Sequence, residues 1–326
     1  MLTYLFRRLL MLIPILVGIS FLTFSLMLLI PGDPAAVLLG QEATEEAITQ
    51  FRTNFGLDKP WYVRYVNYMS NVCQGDLGDS IFQNQPVIVS LQQRLGATLE
   101  LAFAAQFLAV VMGLTLGVLA AIKRGTLIDT VSMLFAQLGI SMPVYWLGIL
   151  LMFFFAVHLG WLPAIGRGQP LVSAVLQALQ GSFGPLRDSL AHLLMPALAL
   201  GFNSAAIISR LARTSMLDNL NEDFVRTAYS KWLKRPYVII IHVLHNALLP
   251  IISIIGLRFG TLIGGAVLTE TIFGWPGLGQ LTVSAIAQRD IPLVQGAVLV
   301  FALFFALINV IVDISYAVID PRVRLR

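Results

Sequence analysis

The sequence predicts an all-α integral membrane protein with six transmembrane helices and both termini in the cytoplasm. Three observations carry that expectation. Hydrophobic residues make up 57% of the chain and charged residues 12%, where a soluble domain is about a quarter charged. Six apolar runs are long enough to cross a bilayer, which takes about 20 residues. Lys and Arg concentrate in the segments that this arrangement leaves inside. Placement matters more than the formal charge of +4, so the basic balance does not imply a nucleic-acid partner. The single cysteine, Cys73, excludes an internal disulfide.

The runs follow in order. Residues 9–30 form the first; it is too long for a signal h-region and lacks a small-residue cleavage site, so it reads as an uncleaved span. The second covers about 99–122 and carries Gly113 and Gly117 as G-x-x-x-G, a spacing that lets helices approach closely. The third is expected as one span over about 130–157. The fourth, about 190–211, is the weakest, with His192, Pro196 and Asn203. The fifth, about 247–268, repeats the glycine spacing at Gly256, Gly260 and Gly264. The sixth covers about 292–319.

With the N-terminus inside, the inner segments hold Arg7, Arg8, Lys123, Arg124, Arg210, Arg213, Arg226, Lys231, Lys234, Arg235, Arg322, Arg324 and Arg326. The outer segments hold Arg52, Lys59, Arg64, Arg94, Arg167, Arg187 and Arg289, spread over much longer loops. The first outer segment has helix-like patterns such as "ATEEAITQFRTNFG" and is expected to form a small folded cap. The chain then divides into an N-terminal span at 1–30, the cap at 31–96, a five-helix core at 97–320 and a cytoplasmic tail at 321–326.

The stretch "EDFVRTAYSKWLKRPYVIIIHVLHNALLP" at 222–250 is the most polar and basic one between apolar runs. Phe224, Ala228 and Trp232 recur at i, i+4 and i+8, with Val225, Tyr229 and Leu233 one step on. They predict one apolar stripe on a helix at about 221–235. Asn221 reads as its N-cap, Glu222 and Asp223 complement its dipole, and Pro236 ends it. Such a stripe either lies on headgroups and the protein's own spans, or docks into a groove on a soluble partner.

No G-x-x-x-x-G-K-[ST] is present, so no ATP is expected on a phosphate loop of this chain. H-E-x-x-H and G-x-S-x-G are also absent. His242 and His245 share a face but lack the acidic or Cys companions of a metal site. No catalytic, cofactor or metal site is expected. Near mid-membrane, Arg258 and Asp313 are the ionisable residues, read either as pathway groups or as an ion pair fixing the fifth and sixth spans. Glu270 is expected at the outer end of the fifth span, open to water. "GWPGLG" at 274–279, with Trp275, Pro276 and Gly277, is a tight outer turn.

The 222–250 stretch resembles the cytoplasmic coupling loop of ABC importer membrane subunits in the peptide-importer branch. Glu222, Asp223, Arg226, Thr227, Ala228, Lys231, His242, Asn246, Ala247 and Pro250 match, and Phe224 stands for the usual Tyr. Trp232 departs from the pattern: the family carries a Gly there, at the turn ending the first helix. "IPGDPA" at 30–35, "FGLDKPWYVRYVNYM" at 55–69, "GDLGDSIFQNQPV" at 75–87, "ATLELA" at 97–102, "TETIFGWPGLGQL" at 269–281, "RDIPLVQGAVL" at 289–299 and "NVIVDISYAVIDPRVR" at 309–324 resemble the dipeptide/oligopeptide-type permeases, in order and spacing. The resemblance is to the first of their two membrane subunits.

That resemblance implies a type I ABC importer permease fold in a bacterial inner membrane, multi-pass and surrounded by lipid. It implies a second homologous permease, two cytoplasmic ATPase subunits that hold ATP and Mg, and an extracytoplasmic solute-binding protein. The helix around 222–234 would couple to an ATPase, and the Trp275–Gly277 turn would pack near the outer gate. Dipeptides or short peptides are the implied cargo, with nickel complexes, glutathione or oligosaccharides as alternatives in the same architecture. An ion-coupled secondary transporter would instead show inverted repeats, and none is seen.

Overall fold

A computed structural model describes residues 2–29, 44–54, 56 and 58–319, without the side chains of 2–5, 9, 51, 54 and 312–319. "IPGDPA" at 30–35 and the tail at 321–326 therefore lie outside the described residues. Among these residues the regular structure is helical, with one isolated bridge between Asp79 and Pro86. Five helices are long and apolar enough to cross a membrane: α1 (Leu2–Leu29), α4 (Val87–Ile122), α8 (Gly184–Leu220), α10 (Arg235–Ile272) and α12 (Ile291–Ile319).

A bent pair supplies a sixth if it counts as one span. The run at 130–157, expected to be continuous, forms α5 (Leu127–Ser141) and α6 (Val144–His158), inclined at 111°. The physical cause is Pro143, which drives the preceding residue out of helical conformation. Met142 is extended, at φ −81° and ψ 126°.

The shorter helices are α2 (Glu45–Asn54), α3 (Trp61–Cys73), α7 (Leu171–Leu179), α9 (Asp223–Ser230) and α11 (Leu278–Gln288). The chain divides into two compact units: residues 1–98 with 276–306, and residues 99–275 with 307–326.

In the first unit, α3 is tied to α1 by Tyr65. Its hydroxyl meets Ser20 Oγ at 2.9 Å, and its ring stands edge-on to Phe21 and Phe24. A core of Met27, Val87, Leu91, Leu278, Leu281, Ala285 and Leu293 joins α1, α4, α11 and α12. Two motifs 210 residues apart meet here: Ser80 of "GDLGDSIF" donates to the buried Asp290 of "RDIPLVQ". Asp290 also accepts from the Phe82 and Leu293 backbone amides, at 3.3 and 3.2 Å, so it fastens the loop to the start of α12.

In the second unit, α8 is the hub, packed by α5, α6, α7 and α10. Of its apolar stretch 61% is buried, against 28–39% for α4, α10 and α12. A helix enclosed by protein needs less oil on its surface, which is why its sequence reads as the weakest span. Small residues permit the enclosure. A Cβ on Gly113 would lie 2.7 Å from Ile208, on Gly117 2.5 Å from Ser209 O, and on Gly201 2.4 Å from Ala105 O. The Gly113/Gly117 ridge thus packs α4 on α8. On α10, Gly260 is buried, whereas a Cβ on Gly264 would meet open space within this chain.

Candidate coupling surface and buried polar sites

The helix expected at about 221–235 is shorter, Asp223–Ser230. Asn221 closes α8 rather than opening α9, and the N-cap position falls to Glu222, whose side chain makes no capping hydrogen bond. Pro236 does not end the helix either; it stands in the first turn of α10, where its missing N–H costs nothing. The stop lies earlier. The Leu233 amide donates to Ala228 O at 3.4 Å and the Trp232 amide to Tyr229 O at 2.9 Å. This is a Schellman closure, and it puts Trp232 in the left-handed region at φ 57°. The residue that replaces the family's Gly therefore occupies a backbone position that favours Gly.

The expected stripe splits as a result. Val225 and Ala228 are buried, and with Leu233 they pack on Met216, Val238, Ile239 and Val243 of α8 and α10 and on Ala121 of α4. Ala228 is thus part of the seat and not of an outward face. Phe224 and Tyr229 are exposed, and Trp232 lies beyond the helix, 94% exposed. Glu222, Asp223, Arg226, Thr227 and Lys231 are exposed as well. Arg226 reaches Asp223 at 3.4 Å across one turn, a solvent-screened pair of little energetic weight. The outward surface of α9 is aromatic and charged, and its inward surface is fixed to three long helices.

Glu270 is not open to water: it is fully buried. Its carbonyl accepts the Trp275 amide at 2.8 Å. The Arg258–Asp313 pair lies outside the described side chains; Arg258 is half-buried and its carbonyl accepts the Thr261 hydroxyl. The turn after α10 bends at Gly274, φ 57°, and buries Trp275 completely. The chain then continues through Pro276 to Gly277, the N-cap of α11.

Two partly buried ion pairs have no counterpart in the sequence reading. Glu100, in "ATLELA", pairs with Arg167 of the 158–189 segment, and the Arg167 guanidinium lies 5.7 Å from the Trp275 ring centre. Asp129 takes a two-pronged contact from Arg213, at 2.6 and 2.8 Å, and accepts the Gly125 amide at 3.0 Å. This clamp joins the start of α5 to α8. Each residue looked like an isolated charge in sequence, because the partners stand 67 and 84 positions apart.

Residues 113–325 match the family described as binding-protein-dependent transport system inner membrane component, and residues 1–102 match that family's N-terminal region. A dipeptide transport system permease of Alkalihalophilus pseudofirmus is 42% identical over 332 residues, covering 99% of this chain and 100% of the relative. A di/tripeptide transport system permease of Pseudomonas aeruginosa is 43% identical over 336 residues, covering 99% of each. A glutathione transport system permease of Escherichia coli is 40% identical over 324 residues, again covering 99% of each. A solved chain of the inward-facing MetNI methionine ABC transporter shares the fold, with a TM-score of 0.52 at 19% identity, covering 72% of this chain and 97% of that one. The chain belongs to the family of binding-protein-dependent transport system inner membrane components.

Proposed function

We propose that this chain is a translocation subunit of an ATP-driven, binding-protein-dependent importer of dipeptides or short peptides. The observation that carries the proposal is 42–43% identity, over almost the whole chain, to permeases named for dipeptide and di/tripeptide transport. The chain is no enzyme in this scheme. Two cytoplasmic ATPase subunits hold ATP and Mg, a second homologous permease completes the pathway, and an extracytoplasmic binding protein delivers the peptide. In a bacterial inner membrane, α5 and α6 together would act as the sixth span, and both termini would face the cytoplasm.

The coupling step follows from the two surfaces of α9. Phe224, Tyr229 and Trp232, with Arg226 and Lys231 beside them, would dock in an ATPase cleft. Closure of the ATPase pair would then push on α9. Val225, Ala228 and Leu233 bed α9 against α4, α8 and α10, so a push moves helices rather than a free loop. Ser215 of α8 donates to Ala247 O of α10 at 3.1 Å, joining the two helices that flank α9 in the chain.

Proteoliposomes test the reading. The chain, its second permease, the ATPases and the binding protein should take up radiolabelled dipeptide only with ATP, and the isolated chain should hydrolyse none. Uptake of glutathione in place of dipeptide would keep the architecture and replace the cargo. Hydrolysis by the contaminant-free chain would overturn the assignment.

A further inference from the structure

The transport scheme leaves one cavity unused. It lies in the unit of residues 1–98 and 276–306 and has a volume of about 220 Å³. Helix α3, the loop after it and the start of α12 form its walls, and Phe24 of α1 closes one side.

Its chemistry is unbalanced. Gln295 is only 4% exposed, yet its Nε2 has no hydrogen-bond partner among the described residues, and neither has the buried Tyr68 hydroxyl. Buried donors without partners are unfavourable, and folded proteins retain few of them. Both residues line this cavity, together with Lys59, Arg64 and Asn71. The Arg64 guanidinium sits 5.9 Å from the Phe24 ring centre, and no carboxylate among the described residues pairs with it. Asp76 is the carboxylate in the wall, and its Oδ1 is engaged by the Gly78 amide at 2.8 Å. Two cations therefore face one occupied carboxylate. Burial pushes the Tyr68 hydroxyl well above its ordinary value and pulls the Arg64 guanidinium below its own.

We propose that this cavity binds a phosphate group, held by Arg64, Lys59, Tyr68 and Gln295. The four supply donors and net positive charge, which is what a tetrahedral oxyanion requires. The volume suits a headgroup-sized ligand and falls below the range of about 300–1,000 Å³ typical of larger organic ligands. The phosphate is either that of a phospholipid headgroup or free inorganic phosphate. Phe24 lies toward the end of an apolar helix that runs from Phe6 to Leu29, which places the cavity where lipid phosphates gather.

The full chain, delipidated in detergent, tests the proposal by its thermal midpoint. Titration with sodium phosphate is compared with sodium chloride at equal ionic strength. A parallel series uses phosphatidylcholine vesicles with and without phosphatidylglycerol. Stabilisation by phosphate beyond chloride identifies the free anion, and stabilisation by phospholipid alone identifies the headgroup. In either case Tyr68→Phe and Gln295→Met, both close in shape to the parent, should each weaken the response about tenfold. Lys59→Gln, at an exposed position, should weaken it a few-fold and serves if the buried variants do not fold. A midpoint indifferent to phosphate and phospholipid, a chloride effect as large, or unchanged titrations in all three variants would overturn the site.

Discussion

Replacing Trp232 by Gly should strengthen the fold slightly while weakening ATPase docking. The backbone at Trp232 is left-handed, φ 57°, a conformation that costs an L-residue about 1–2 kcal/mol. Gly removes that cost but brings extra freedom to the unfolded chain, worth about 0.5–1 kcal/mol in the opposite direction. The indole is 94% exposed, so its loss removes almost no packing. The isolated chain should therefore be between unchanged and about 1.5 kcal/mol more stable. Docking behaves differently. A large apolar side chain contributes about 1.5–3 kcal/mol when buried, and aromatic residues dominate interface energetics. Loss of about 2 kcal/mol lowers affinity for the ATPase about thirtyfold. Trp232→Ala separates the two effects, since it removes the indole but keeps the strained backbone: it should lose the same affinity and gain no stability. Thermal midpoints of the detergent-solubilised chain and titration with purified ATPase subunits measure both quantities. Parent-like affinity in both variants would refute the docking role of the indole. A lower midpoint for Trp232→Gly would refute the backbone argument.

Ala228→Glu should disturb the seat of α9 before it disturbs docking. A carboxylate would enter the Met216–Val238 cluster and cost at least about 2 kcal/mol, read as a lower thermal midpoint of the chain alone. Arg167→Ala should leave Glu100 buried without its partner, a loss of about 3 kcal/mol, and Glu100→Gln in the same chain should restore part of the midpoint. Gly201→Ala forces a methyl against Ala105 O and should destabilise by about 1–3 kcal/mol. Gly264→Ala meets open space and should leave the isolated chain unharmed, so a defect that appears only on assembly with the second permease would mark Gly264 as an interface position. Cys73 is exposed and should react with a membrane-impermeant thiol reagent in intact spheroplasts; reaction confined to inverted vesicles would reverse the topology.

The sequence by itself determined the helical class, five of the apolar helices and the presence of a short amphipathic helix after the fourth run. Those features depend on run length, helical periodicity and the sign of nearby charges, all of them local. Motifs at 222–250 and 269–299 also carried the family resemblance, without saying what each residue touches. Tertiary structure decided the rest. A Schellman closure ended α9 at Ser230, so Ala228 turned inward and Trp232 left the helix; a count of i, i+4, i+8 assumes a helix that continues. Pro143 bent the third run by 111°, whereas Pro196 and Pro250 are accommodated inside α8 and α10. Glu270, Glu100, Asp129 and Asp290 acquired their meaning from burial or from partners 67 to 210 residues away. The physical reason is common to all of them. A sequence states how apolar each surface is, but lipid and protein cover apolar surface equally well. Only packing reveals that α8, the least apolar of the runs, stands at the centre of its unit.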